Sequence, residues 1–349
     1  MSKKKTLFIS DIHMATGKEW DWFNIQNEGP RLEAFFDYVI MRQEQDGDIE
    51  ELVLLGDIFD LWVCPHDQEP HTFDDICQAQ QSIIKKIIDT AKDVPIHYVN
   101  GNHDFRVTEQ QIAEAFDGAV RYQKESYRRD NIYAEHGHRR ALFNCPDEKN
   151  GGFSALPVGY FISRLHTTLG EGQKARSNLI SQAIREVFDA AGPVDTLAQS
   201  VLDAVKQAAE KTRGITIDRF VMGQFGPDIS YEEVRHRYKD LYADWLKKEG
   251  FWSTTQMIMC EVNRLGSVAD NMCKDGINIV VLGHSHDTKM DKDSFLVENR
   301  IYANCGYWCG FQEKEEIDDN AHFVETDGET VTLNRFNRGD IQKVVSRRL

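Results

Sequence analysis

Long apolar runs are missing from this chain of 349 residues, and so is any excess of positive charge. No run approaches the roughly 20 residues that a membrane-spanning helix needs, so no transmembrane segment is expected. Lysine and arginine number 41 against 57 aspartates and glutamates, a formal net charge of −16. Binding to a phosphate backbone draws on displaced counterions and hence on a basic surface, so large nucleic acids are disfavoured as partners. A small anionic substrate is not excluded, because bound metal ions reverse the local sign. Cysteine is sparse and unpatterned: Cys64, Cys77, Cys145, Cys260, Cys273, Cys305 and Cys309 form no CxxC pair. Free thiols in a reducing compartment are the expectation. The opening Met1-Ser2-Lys3-Lys4-Lys5 runs straight into a strand pattern and not into a signal-peptide core, which points to a cytoplasmic location. Internal repeats and low-complexity tracts are absent, and disorder is expected only at the polar ends, Met1–Lys5 and Ser346–Leu349.

What is present reads as alternating strands and helices. Thr6–Ser10, Glu51–Leu55, Ile96–Asn100, Asn131–Glu135 and Asn278–Leu282 are short continuous apolar runs, as in strands buried on both faces. Leu32, Phe35, Phe36, Val39 and Ile40 fall at helical spacing, as do Ile76, Ile83, Ile84, Ile87 and Ile88. A layered α/β fold follows. From about 151 to 265 the pattern changes to helices, with candidates at Ala175–Ala191, Asp195–Thr212, Tyr231–Lys248 and Thr254–Met272. This segment holds 14 acidic and 14 basic residues, so the whole net charge lies outside it. The expected organisation is a core of residues 1–150 and 266–349 interrupted by a helical insertion, 151–265. Bulky residues near the ends of the insertion, Phe153, Leu156, Tyr160, Phe161, Phe251 and Trp252, suit a cap beside a pocket. Such a cap would be replaceable by a short linker without loss of the core. Phe295–Ala303, His322–Thr326 and Thr330–Phe336 read as strands returning to the core.

Five short motifs sit at predicted strand ends. They are Asp11-Ile12-His13, Gly56-Asp57-Ile58-Phe59-Asp60, Asn100-Gly101-Asn102-His103-Asp104, His136-Gly137-His138 and Gly283-His284-Ser285-His286. Loops beyond the carboxyl ends of strands are where α/β folds hold ligands. The donor set mixes imidazole, carboxylate and one amide oxygen, which suits Mn, Fe, Zn or Mg ions.

In this order the motifs resemble those of the calcineurin-like metallophosphoesterase superfamily, over roughly residues 5–140 and 277–310. The resemblance implies a four-layer αββα sandwich of two packed sheets flanked by helices. It implies two divalent ions, with manganese leading: Asp11, His13 and His286 on the first, Asn102, His136 and His284 on the second, and Asp57 bridging. It implies His103 as a proton donor beside the metals, oriented by Asp104. Two divalent ions outweigh two ligand carboxylates and a hydroxide, so the site would be net positive within an acidic protein. Gly56-Asp57-Ile58-Phe59-Asp60-Leu61-Trp62 and Asn304-Cys305-Gly306-Tyr307-Trp308 are similar to motifs of the UDP-2,3-diacylglucosamine pyrophosphatases. Many of those enzymes carry Arg where this chain has His103 and Asp where it has His138, and their helical lid is shorter. The chemistry therefore carries over and the lipid substrate does not.

The expected function is a binuclear phosphodiesterase or pyrophosphatase acting on a small or lipid-linked phosphorylated substrate. Phosphoprotein phosphatase and phosphomonoesterase activity are the alternatives, followed by a nuclease and a non-catalytic scaffold. Arg139 and His138 are candidate substrate contacts, each balanced by a plainer reading as a solvated or packed side chain. Asp60 reads as a carboxylate that orients ligands. His66, His71, His97, His166, His236 and His322 have no motif around them and read as structural. The oligomeric state is open.

Overall fold

The computed structural model describes residues 3–147, 156–170, 196–260, 265–294, 297–310, 320–337 and 339–349. Strands β1 (Lys5–Ile9), β2 (Ile49–Leu55), β3 (Ile96–Val99) and β4 (Val120–Lys124) run parallel, and β12 (His322–Thr326), β13 (Thr330–Asn337) and β14 (Asp340–Arg348) continue the sheet antiparallel beyond β1. A second sheet has the order β10 (Lys289–Lys292), β11 (Ile301–Asn304), β9 (Ile279–Leu282), β6 (Ile132–Ala134), β5 (Tyr127–Arg129). A short hairpin pairs β7 (Arg219–Phe220) with β8 (Ile229–Ser230).

Two-residue periodicity sorts the apolar runs into layers. Phe8, Val53, Leu55 and Val99 of the first sheet meet Ile132, Ala134, Ile279, Val281, Ile301 and Ala303 of the second in one core. Their neighbours Leu7, Ile9, Leu52, Leu54, Ile96 and Tyr98 point the other way. There they meet Leu32, Phe35, Phe36 and Val39 of α1 (Glu28–Asp46) and Ile83, Ile84 and Ile87 of α3 (Gln81–Thr90). Behind the second sheet, Val280, Leu282 and Tyr302 pack on Leu265, Val268 and Ala269 of α9 (Leu265–Met272). The layers are therefore helix, sheet, sheet, helix, as the motifs led us to expect. The shorter α2 (Phe73–Ala79) and α4 (Glu109–Ala115) each open on a threonine capping box, Thr72 with Asp75 and Thr108 with Gln111.

Strands β4, β5, β10 and β14 were not foreseen. β4, β5, β10 and β14 lie at sheet edges, and their polar sequences leave little apolar signal. Of the tail read as disordered, Ser346–Arg348 belong to β14, paired along β13, and Leu349 N donates to the Glu329 carbonyl at 2.9 Å. The strand expected over Phe295–Ala303 is shorter. Asn299, at φ 56°, and the Ser294 N–H to Val297 O bond of 2.9 Å make a turn before Ile301; Phe295 and Leu296 lie outside the described residues.

The insertion contributes α5 (Val158–Leu169), α6 (Leu197–Arg213), α7 (Tyr231–Glu249) and α8 (Phe251–Cys260). The helix expected over Ala175–Ala191, Phe153, and the side chains of Phe251 and Trp252 lie outside the described residues. Thr254–Met272 is divided between α8 and α9, with 261–264 likewise outside. α5 is buried on every side: of its residues only Thr167 is not. Leu156, Tyr160, Phe161 and Leu165 belong to the same continuous core as Ile58, Phe59, Leu61 and Trp62. The insertion is thus joined to the core through shared apolar packing.

Candidate metal centre

The five motifs converge at one end of the sandwich. Loops after β1, β2 and β3 bring Asp11, His13, Asp57, Asn102 and His103 from the first sheet. Loops after β6 and β9 bring His136, His284 and His286 from the second. Asp11 (φ 54°), His13 (57°), Asp57 (51°), His284 (69°) and His286 (54°) all have left-handed backbone. Such conformations cost non-glycine residues of order 1–3 kcal/mol each and persist where surrounding structure holds them. Glycines allow the close approach. A Cβ on Gly101 would lie 2.1 Å from Asp57 Oδ1, and one on Gly283 2.6 Å from Asp11 Oδ2.

Three overlapping donor groups form among the described residues: Asp11, His13 and His286; Asp57, His136 and His284; and His13, Asp57 and His103, each offering ligand atoms within 4.8 Å of one another. His286 Nε2 is 3.0 Å from Asp11 Oδ1, and His13 Nε2 lies 3.3 Å from His286 Nε2. His136 Nε2 is 3.1 Å from Asp57 Oδ2, and His13 Nε2 is 3.8 Å from the same oxygen. Asn102 Oδ1 is buried with no hydrogen-bond partner, while its Nδ2 donates to Asn144 Oδ1 at 3.3 Å.

Tautomers follow from what the outer nitrogens touch. His136 Nδ1 lies 2.9 Å from the Leu55 carbonyl, which can only accept, so Nδ1 carries the hydrogen. His13 Nδ1 faces Asp60 Oδ2 at 3.1 Å in the same way. Both Nε2 atoms are therefore left facing the carboxylate side of the site, where a proton or a metal ion can sit, and the mixed N and O donors fit divalent ions. Burial opposes charging His136, but Asp57 and Asp11 outweigh it and push this imidazole up to about 10, so their field favours a cation at Nε2. Burial would raise the Asp57 carboxyl, but His136 and His103 hold it well below the usual range, and Asp11 is lowered by His136 and His286 against its own burial. Burial drives His284 down to about 3.

Asp104 does not touch the His103 imidazole, contrary to expectation. Its Oδ2 accepts from Ile58 N at 2.8 Å, Phe59 N at 3.3 Å and Tyr98 Oη at 2.6 Å, and its Oδ1 from Gly101 N at 2.5 Å. It ties the loop after β2 to the loop after β3. Asp60 orients His103 instead: Oδ1 is 2.9 Å from His103 Nδ1 while Oδ2 holds His13. Burial would raise Asp60, but His103 and His13 keep it ionised, far below the ordinary carboxylate range. His138 is buried beside His136 and His284, ring centroids 5.5 and 6.5 Å away, and neither of its nitrogens has a hydrogen-bond partner. Burial, then His136 and His284, keep it neutral. Arg139 forms a 3.5 Å ion pair with Glu125, and Arg140 pairs with Glu135 at 2.9 Å.

Two further aromatic rings flank the site. Tyr307, in the motif Asn304–Trp308 noted in the sequence, stacks on His286 at 5.6 Å. Trp22, which was not singled out, lies 4.8 Å from His13 and 5.4 Å from His103, ring to ring, and its only sequence signal was the density of aromatics in Trp20–Phe23.

The sequence profile of the calcineurin-like phosphoesterases matches residues 4–288, and the chain belongs to that family. Among curated relatives, the UDP-2,3-diacylglucosamine hydrolase of Histophilus somni is 32% identical over 107 residues, 31% of this chain and 37% of that one. The enzyme of the same name from Klebsiella pneumoniae is 31% identical over 102 residues, 29% and 34% of the two chains. That from Coxiella burnetii is 27% identical over 110 residues, 32% and 37%. The matches span little more than a third of the relatives' length. Vacuolar protein sorting 29 from Cryptosporidium parvum aligns over 99% of this chain and 98% of its own, at 10% identity and a TM-score of 0.35.

Proposed function

We propose that this chain is a phosphoric ester hydrolase using two divalent ions, and that it cleaves a diester or pyrophosphate bond in a small or lipid-linked substrate. The observation that carries the reading is the convergence of carboxylate and imidazole donors from both sheets, with the buried, unpartnered Asn102 Oδ1 and His136 Nε2 among the proposed ligands. Asp11, His13 and His286 would hold one ion, Asn102, His136 and His284 the other, and Asp57 would be shared. The donor set suits manganese first, then iron, zinc or magnesium. When bound, such a pair acidifies a water for attack and neutralises phosphoryl oxygens. The protein supplies the rest. Asp60 Oδ1 accepts a hydrogen bond from His103 Nδ1–H and so fixes the ring, and in its imidazolium form His103 would pass the Nε2 proton to the leaving oxygen. His138 has its nitrogens unspent beside the second donor group and is a candidate substrate contact. Arg139 is less favoured, since Glu125 draws it away. The relatives named above, which act on a nucleoside diphosphate-linked lipid by name, support a diester-type bond over a monoester. Residues 151–265 are read as a helical insertion beside the site. A cytoplasmic location is supported by seven cysteines none of which is disulfide-bonded. No helix among the described residues is long and apolar enough to cross a membrane.

A panel of chromogenic phosphomonoesters, phosphodiesters and nucleoside pyrophosphates, each with Mn²⁺, Zn²⁺, Mg²⁺ and chelator, tests this. Hydrolysis of diesters or pyrophosphates that a chelator abolishes is expected. Undiminished activity in chelator would overturn the metal assignment, and a preference for monoesters would overturn the bond assignment.

A further inference from the structure

We propose that Trp62, backed by Tyr160 of α5, is a positioning residue for His103, so that the helical insertion forms part of the proton-transfer apparatus. This rests on the reading of His103 given above.

A single hydrogen bond does not fix an imidazole. The Nδ1 to Asp60 bond of 2.9 Å leaves the ring able to pivot about that line, and the pivot decides where Nε2 points. The second constraint is Trp62, stacked on the imidazole at 4.6 Å with 28° between planes. His13 meets the same ring edge-on at 4.6 Å and 89°. The backbone of Trp62 donates to Asp60 Oδ1 at 3.0 Å, the same oxygen that faces His103, so stack and hydrogen bond share one origin.

The indole is held in turn from the insertion. Tyr160 meets Trp62 edge-on at 5.8 Å and 87°, and both rings are buried. Arg164, one helical turn on and also buried, donates to the Tyr160 hydroxyl at 3.0 Å. Its other nitrogen donates to the carbonyls of Pro65 at 2.7 Å, His66 at 3.1 Å and Gln68 at 2.6 Å. α5 thus grips both the ring of Trp62 and the loop that follows it. Phe225, also from the insertion, closes the far side of Tyr160 at 5.2 Å.

The test compares Trp62→Leu, Trp62→Phe and Tyr160→Leu, each as the full chain loaded with Mn²⁺, with and without His103→Ala. Substrates are a nitrophenyl and an alkyl phosphodiester. We expect Trp62→Leu and Tyr160→Leu to lower kcat for the poor alkyl leaving group by roughly 10–10²-fold, the scale of a misplaced reacting group. KM should change little, the loss should shrink for nitrophenolate, and Trp62→Phe should recover much of it. In the His103→Ala background Trp62→Leu should cost nothing further. Additive losses there, or equal losses for both leaving groups, would assign Trp62 to packing alone and overturn the proposal. If His103→Ala itself left both substrates unaffected, the functional reading of His103 would fail, and the positioning role with it. Should Tyr160→Leu fail to fold, the Trp62 pair decides the outcome.

Discussion

Asp57 reaches residues of three other motifs. Its Oδ1 accepts from His103 N at 2.8 Å while Oδ2 faces His136 and His13. Asp57→Ala is therefore expected to weaken both ions together and to remove nearly all activity. Elemental analysis of the purified variant checks it, and two tightly retained metals would refute the shared-ligand assignment. The convergence of the five motifs was legible because each follows a strand run with glycine or a polar residue marking the turn. What was not legible was which of two nearby aspartates serves His103. The family resemblance implied Asp104, but Asp104 is turned inward onto three backbone amides and Tyr98, whereas Asp60 arrives from a neighbouring strand loop. Pairings between loops are set by sheet register, which a single sequence does not display.

At the scale of elements, central strands declared themselves and edges did not. Ile279–Leu282 is apolar at every position and was read to within a residue. Lys289–Lys292 and Asp340–Arg348 carry charge on edge strands and look like loop. Loops near the site show the same limit. His71 was read as structural and does anchor one loop to another, Nε2 lying 2.7 Å from Asp21 Oδ1. Burial opposes its charge, yet the Asp21 carboxylate outweighs burial and raises the imidazole above its usual 6.5. A folded-state value raised above the unfolded one gives stability fully present below about 6.5 and lost as pH rises through the higher folded value. The melting temperature of the protein minus that of His71→Gln should therefore fall as pH rises above about 6.5. A difference that stayed flat or grew with pH would exclude a charged pair.

The whole molecule modifies one expectation and supports another. The insertion was read from composition as a replaceable cap, but α5 shares its core with Trp62 and satisfies carbonyls of Pro65, His66 and Gln68. Replacing 151–265 with a short linker would uncover that apolar surface and strip three acceptors. We expect such a chain to be insoluble or to lack a cooperative thermal transition, and a soluble, sharply melting product would show the insertion to be separable. The four layers, by contrast, were expected, and they give the metals a mechanical role. Asp11, His13, Asp57 and Asn102 belong to the first sheet and His136, His284 and His286 to the second, so ions bound between them would staple the sheets across their shared core. Two buried carboxylates and the imidazoles of both sheets crowd together there, with five residues in left-handed backbone. Ligands that bind only the folded chain stabilise it by mass action, about 4 kcal/mol at a free concentration about 1,000 times Kd. In a chain of this size that corresponds to a rise in Tm of roughly 5–10 °C. Calorimetry of chelated and Mn²⁺-reloaded protein measures it without reference to any substrate. Identical transitions in the two states would mean that the converging donors bind no structural cation, and the stapling of the two sheets would have to be abandoned.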